Sequence, residues 1–268
     1  MYIIAEVGQA HEGSLAMALS FIQSAATAGA SAVKFQMHIA HAESSKHEPF
    51  RIPLTIQDKS RYEYWERMQF TKSEWIEISK KCEECKIDLI ISPFSVKSLE
   101  TIRLLNVARI KVASGEINNL LLLDAISGLK IPVIYSTGLS HYEEIEKINE
   151  YAKENNISHA ILQCTSQYPT KYEDIGLNCI PEFIEKYKCD VGLSDHSGSM
   201  YTGLASLCFG ASILEVHVTY SKDIIGPDAS TSLTFDDLTR LVDGCSIIEQ
   251  IIKNPVSKIE KKCEQRIS

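Results

Sequence analysis

Short apolar runs recur along the chain, each bounded by turn-type residues. Between them lie stretches whose apolar positions fall three and four apart. The runs predict strands at Tyr2–Val7, Ser31–Met37, Ile87–Ser92, Val107–Ala113, Ile131–Ser136, His159–Cys164, Cys189–Ser194 and Ser212–Thr219. The stretches predict amphipathic helices at Ser14–Ala28, Thr71–Cys85, Ser95–Leu105, Asn119–Leu129, His141–Asn155, Leu177–Tyr187, Tyr201–Phe209 and Phe235–Ile252. Strands apolar on both faces are those of a parallel sheet covered by helices. Eight such pairs in 268 residues predict a single-domain α/β fold, a (β/α)₈ TIM barrel over residues 1–268. An open doubly wound sheet is the alternative, but no GxGxxG follows the first strand.

The stretch Cys189–Asp228 holds the densest polar chemistry, with Ser194, Asp195 and His196 closing one strand and Glu215 and His217 inside the next. Alternation puts Glu215 and His217 on one face and Val216 and Val218 on the other. The valines suit the helix-facing side, so the Glu and His point inward, where neither is cheap to leave unpaired. Two histidines at adjacent strand ends could share a divalent ion. A lone strand histidine is more often a satisfied core residue, and both readings stay open on pattern alone.

In a barrel the loops after the strands' carboxyl ends form the site. Strand 1 leads into Gly8-Gln9-Ala10-His11-Glu12-Gly13, and strand 2 carries Lys34 and Gln36 on one parity, continued by His38. Strand 3 ends in Ser92-Pro93-Phe94-Ser95, strand 4 carries Lys111 and ends in Ser114-Gly115-Glu116, strand 5 ends in Ser136-Thr137-Gly138, and strand 6 in Thr165-Ser166-Gln167-Tyr168. Any one Ser-Gly pair is a turn. Recurring at strand after strand beside two interior lysines, the set reads as a cradle for a small phosphorylated anion. The polar and aromatic segment His41–Phe70 is too long for a plain connection and is expected to be a substrate loop or lid.

Composition narrows the class. A net charge of −8 leaves no basic field for nucleic acid, and no apolar run approaches the ~20 residues that span a bilayer. The N-terminus enters a strand without a basic, cleavable leader, so a cytoplasmic protein is expected. The eight cysteines are scattered and read as reduced structural thiols. Cys82 and Cys85 form a lone CxxC inside a charged helical pattern, a weak redox or zinc signal.

The motifs IAEVGQAHEGS, VKFQ, ISPFS, KVASGE, YSTG, CTSQYPT, GLSDHS, EVHVT and GPD occur in this order, at or beside the strand ends. Together they resemble the sialic acid synthases, the family condensing phosphoenolpyruvate with an N-acetylated hexose. The resemblance covers nearly the whole chain. It implies a (β/α)₈ barrel, Mn²⁺ or Mg²⁺ as cofactor, and a nonulosonic acid as product. By resemblance His196 and His217 are the metal ligands, with Glu215 beside them. Lys34, Ser92, Lys111, Ser114, Ser136 and Ser194 surround the phosphoenolpyruvate, and Gln36, Tyr168 and Asp228 meet the sugar. Glu12 and Glu116 are active-site carboxylates, with Glu116 the candidate for proton handling. Ser166 stands where the family carries an asparagine near the phosphate. Ala10 replaces another asparagine, and Val216 replaces a basic residue. The family's C-terminal antifreeze-like domain, which brings an arginine to a partner's site, has no counterpart in the sequence given. A homodimer or a separate lid-domain partner is therefore expected. Two alternatives accompany the synthase reading: a barrel that binds these substrates but needs a partner for turnover, and an aldolase using a Schiff base at Lys111.

Overall fold

The computed structural model describes residues 1–49, 58–224 and 226–257. Eight parallel strands lie in sequence order: β1 (Tyr2–Gly8), β2 (Ala32–Met37), β3 (Asp88–Pro93), β4 (Arg109–Val112), β5 (Val133–Ser136), β6 (His159–Cys164), β7 (Asp190–Asp195) and β8 (Ile213–Thr219). β1 pairs back onto β8, so the sheet closes and the expected barrel is the architecture found. A two-residue strand, β9 (Leu233–Thr234), adds to the end of β8.

The helices are α1 (Leu15–Thr27), α2 (Ala40–Glu43), α3 (Arg61–Met68), α4 (Lys72–Cys85), α5 (Leu99–Ile102), α6 (Leu120–Ser127), α7 (Tyr142–Glu154), α8 (Cys179–Tyr187), α9 (Met200–Cys208) and α10 (Phe235–Lys253). Their starts follow from capping chemistry: Thr71 and Glu74 form a reciprocal capping box on α4, and Thr234 accepts from the Asp237 amide on α10. None is long and apolar enough to cross a membrane, among the described residues.

Two expectations need correction. The helix read over Ser95–Leu105 shrinks to a 3₁₀ turn at Val96–Ser98 and the single turn of α5. There the Leu104 and Leu105 amides bond three residues back, which tightens the chain out of α geometry. The segment read as a loop over His41–Phe70 contains helical pieces, α2 and α3; its residues 50–57 lie outside the described residues.

Strand alternation divides the barrel interior into two storeys. Ile4, Ala32, Ile90, Ile134, Ala160, Leu162 and Ile213 pack together as an apolar plug toward the amino ends. Two residues further along the same strands stand Glu6, Lys34, Ser92, Ser136, Cys164 and Glu215, with Ser194 of β7 level with Glu215. The opposite parity, such as Val33, Phe35, Ile91, Val112, Leu193 and Val216, faces the helices and joins Phe21, Ile22, Ile78 and Leu241 in the main core. Each such fully buried side chain contributes about 1.5–3 kcal/mol. The plug closes one end, and the polar storey opens at the other.

Candidate active site

A cavity of about 430 Å³ occupies the polar storey. Its floor is a charge cluster. Glu215 Oε1 accepts from Lys34 Nζ at 3.1 Å, Lys111 Nζ at 3.2 Å and Ser194 Oγ at 3.2 Å. Lys34 Nζ also reaches Glu6 Oε1 at 3.2 Å and Ser92 Oγ at 3.4 Å. Register builds this directly, because Glu6 sits beside Lys34 on β1 and β2, and Ser194 beside Glu215 on β7 and β8.

The balance of terms differs among the three buried charges. Burial pushes Glu215 up, but Lys111 and Lys34 outweigh it and hold the carboxyl well below the usual range. Burial pulls both lysines down. Lys34, between Glu215 and Glu6, still ends above its ordinary value; Lys111, with Glu215 alone and Lys34 opposing, ends below. Glu6 Oε2 and Glu215 Oε2 are buried without hydrogen-bond partners.

One side wall is neutral and rich in hydroxyls. Ser136 Oγ is buried and has no partner, whereas Ser114 Oγ accepts from the Gly138 amide at 3.0 Å. A Cβ on Gly138 would lie 2.5 Å from Ser166 Oγ and 2.8 Å from Cys164 Sγ, so only glycine leaves this concavity open. On the opposite side Gln36 Nε2 donates to Glu6 Oε1 at 2.8 Å.

The two candidate metal ligands face each other with ring centroids 5.2 Å apart. His196 Nδ1 lies 3.2 Å from the Thr165 carbonyl and therefore carries the proton. Its Nε2 is left as the lone-pair nitrogen, 3.0 Å from the Tyr168 hydroxyl. Burial, with His217 beside it, pushes His196 down to about 3 and keeps it neutral. His217 Nδ1 is buried without a hydrogen bond, and Asp228 Oδ2 lies 3.6 Å away, beyond bonding range. No cluster of three or more His, Cys, Asp or Glu is spaced to hold an ion among the described residues. The pair fits a cation that takes two imidazoles from the protein and its remaining donors from water or substrate.

Twelve of the residues singled out in the sequence line this cavity: Lys34, Gln36, Ser92, Lys111, Ser114, Ser136, Ser166, Tyr168, Ser194, His196, Glu215 and His217. Three do not. Glu12 follows successive turns after β1, pairs with Arg67 Nη1 at 2.8 Å and borders a small neighbouring pocket. Glu116 accepts from Asn119 and faces a second compartment of about 800 Å³, which adjoins the first across Gln36, Phe94, Gly115 and Leu139. Asp228 borders a small pocket behind His217. The sequence reading missed Glu6, although its parity with Ile4 already pointed it inward. The CxxC does nothing comparable: Cys82 is buried on α4, and burial pushes its thiol up to about 12.

A closed (β/α)₈ barrel with a charged and hydroxyl-lined cavity at its carboxyl face is an enzyme architecture. The NeuB family model matches residues 21–257, and the chain belongs to that family of synthases. It is 33% identical to the N,N'-diacetyllegionaminic acid synthase of Campylobacter jejuni over 98% of this chain and 80% of that enzyme. It is 34% identical to the pseudaminic acid synthase of the same species, over 98% and 78%. With the human N-acetylneuraminate-9-phosphate synthase it shares 29% identity over 99% and 76%. The crystal structure of N-acetylneuraminic acid synthetase from Leptospira borgpetersenii, in complex with citrate, superposes with a TM-score of 0.85 at 29% identity, over 98% of this chain and 87% of that one.

Proposed function

We propose that this enzyme condenses phosphoenolpyruvate with an N-acetylated hexose, N-acetylmannosamine or a diacetamido relative, giving a nonulosonic acid and phosphate. The observation that carries the reading is the pairing of two buried lysines on Glu215 beside an open hydroxyl and glycine cradle with an unpartnered Ser136. A multiply charged anion entering there draws Lys34 and Lys111 away from one shared carboxylate and finds donors in Ser92, Ser114, Ser136, Ser166 and Ser194.

In the reaction the methylene carbon of phosphoenolpyruvate bonds to the aldehyde carbon of the open-chain sugar, whose oxygen takes up a proton. Water adds to the resulting cationic carbon and gives a proton to a carboxylate. The tetrahedral carbon then expels phosphate by C–O cleavage. Glu215 is a poor proton acceptor, since two lysines hold it ionised. Glu6, in the cavity with one oxygen unpartnered, is better placed for the water step than Glu116. His196 and His217 would hold a divalent cation, Mn²⁺ or Mg²⁺, which when bound would supply Lewis-acid polarisation of the sugar's carbonyl. Tyr168 and Gln36 border the acceptor side. Asp228 stands 3.6 Å from His217, beside a neighbouring small pocket, and is the carboxylate on that side of the histidine pair.

A second reading has the mouth completed by another polypeptide, a second copy or a lid domain. Leu139, Tyr168, Tyr172 and Tyr201 are 50–73% exposed at the carboxyl face, an apolar rim that a cover would bury. Phosphate release from phosphoenolpyruvate, assayed with and without Mn²⁺ across N-acetylmannosamine and diacetamido hexoses, decides between them. Metal-dependent release by wild type but not by His217→Ala establishes the synthase. Silence across the sugars with phosphoenolpyruvate still bound establishes the need for a cover, and silence without binding removes both readings.

A further inference from the structure

Beside the floor of the cavity runs a hydrogen-bonded line whose polarity can be worked out group by group. Lys34 Nζ can only donate, so Glu6 Oε1 accepts from it. The same oxygen lies 2.8 Å from the Gln36 amide, which therefore presents its nitrogen there. That fixes the other end of Gln36 as oxygen, and His38 Nε2 lies 3.1 Å from it. Two lone pairs at that distance would repel, so Nε2 carries a proton. The opposite ring nitrogen, Nδ1, lies 2.8 Å from Glu43 Oε1, a second acceptor, and carries a proton as well. With Glu43 as a carboxylate, both ring nitrogens are donors, which is the imidazolium form.

Its surroundings suit that state. The His38 ring is sandwiched between Trp65, with centroids 3.7 Å apart and planes at 16°, and Phe94, at 4.3 Å and 15°. A cation between two aromatic faces is stabilised by both. The side chain is 5% exposed and Glu43 is 9% exposed, so the pair is shielded from water. Gln36 Oε1 also accepts from Gln9 Nε2 at 3.1 Å, which uses its second lone pair. What remains of Gln36 for a ligand is one N–H on Nε2.

We propose that His38 is a positioning residue: as an imidazolium clamped by Trp65, Phe94 and Glu43, it locks the Gln36 amide so that the acceptor sugar meets it only as a hydrogen-bond donor. The assignment of Gln36 to the acceptor side rests on the function proposed above; the protonation and orientation of His38 do not. Gln36 lines both compartments, so a fixed N–H there selects acceptors presenting an oxygen lone pair at the junction. Without the clamp the amide keeps its nitrogen on Glu6 Oε1 but loses the strongest bond to its oxygen, so the position of the free N–H at the junction loosens and selectivity for the acceptor falls.

Three variants and one spectrum test this. In wild type with ¹⁵N-labelled histidine imidazoles, NMR near neutral pH should show one buried histidine with both nitrogens protonated. Its resonances should vanish in His38→Phe, and a neutral His38 overturns the proposal whatever the activity. A glutamine at this position places its amide nitrogen where Nε2 lies, and an asparagine places its own where Nδ1 lies. His38→Gln therefore restores the donor to Gln36, whereas His38→Asn restores only the contact to Glu43. In His38→Phe and His38→Asn the KM for the sugar should rise about tenfold or more, the loss of a charge-assisted hydrogen bond, with the KM for phosphoenolpyruvate unchanged. His38→Gln should recover most of that rise. Equal behaviour of the Gln and Asn variants, or a rise in both KM values together, overturns the positioning role. If wild type releases no phosphate with any sugar, the function proposed above fails, while the NMR result still stands.

Discussion

Two walls of one cavity are built on opposite plans. Toward β1, β2 and β8 the wall is built on charge: Glu6, Lys34, Glu215 and the Gln36 amide bound to Glu6, backed by His38 and Glu43, with His217 at its edge. Toward β5 and β6 the wall is neutral, with Ser136, Ser166 and the open space at Gly138. The first wall is tied together by ion pairs and hydrogen bonds among its own side chains, so it holds its shape without a ligand, and Glu6 Oε2, Glu215 Oε2 and His217 Nδ1 are left unpartnered there. The second leaves a hydroxyl unpartnered and a concavity unfilled, which costs the fold and benefits only a ligand. The contrast separates groups that hold the site together from groups that wait for something to hold.

The largest test of this contrast is Glu215→Gln. Removing that charge leaves Lys34 and Lys111 buried together, and breaking such a cluster should cost about 3–5 kcal/mol in denaturant unfolding. Phosphate release should fall by about 10²–10³-fold through the loss of preorganised charge. A stability change below ~1 kcal/mol would show that the floor is not an interdependent cluster.

Ser136→Ala should behave in the opposite way. Its hydroxyl is buried and unpaired, so removal should leave stability unchanged or slightly raised, while the KM for phosphoenolpyruvate rises about tenfold. A destabilisation without a change in KM would place Ser136 with the structural wall.

The smallest effect concerns pH. His11 lies outside the cavity, packed on Phe70 with centroids 4.6 Å apart and accepting from the Gly13 amide. Burial pushes it down to about 3, so the folded protein keeps it neutral. Below its unfolded value of ~6.5 the unfolded chain gains a proton that the folded one refuses, so stability is full above that pH and falls as pH drops toward 3. His196 acts with the same sign. In His11→Phe the loss of stability between pH 7 and pH 5 should be shallower by up to ~1.4 kcal/mol per pH unit below 6.5. An identical slope in the variant would mean that His11 charges freely in the folded state.

Legibility from sequence followed the range of the interaction. Strand alternation fixed which residues of β2, β7 and β8 face inward, so Lys34, Ser194, Glu215 and His217 could be read from their parity alone. The same rule covers Glu6, whose parity with Ile4 turns it inward although the polar loop that follows β1 is the more conspicuous feature of the sequence. The position of Glu12 is not legible in this way. Beyond the strand's end no periodicity applies, and tight turns aim the side chain at Arg67. Glu116 sits on a 3₁₀ turn that faces the neighbouring compartment, which no spacing within its own motif encodes.

By itself, then, the sequence determined the number and order of βα units and the inward or outward face of each strand residue, because both depend on local periodicity. Its motifs at the strand ends also carried the family. Only the closed barrel decided the rest. It put β1 beside β8, so that Glu6 and His217 became neighbours. It set two lysines from β2 and β4 on one oxygen of Glu215. It brought Trp65 of α3 and Phe94, just past β3, onto the two faces of His38. These contacts join residues tens to hundreds of positions apart, and their partners are set by sheet closure and register, which no local stretch of chain contains.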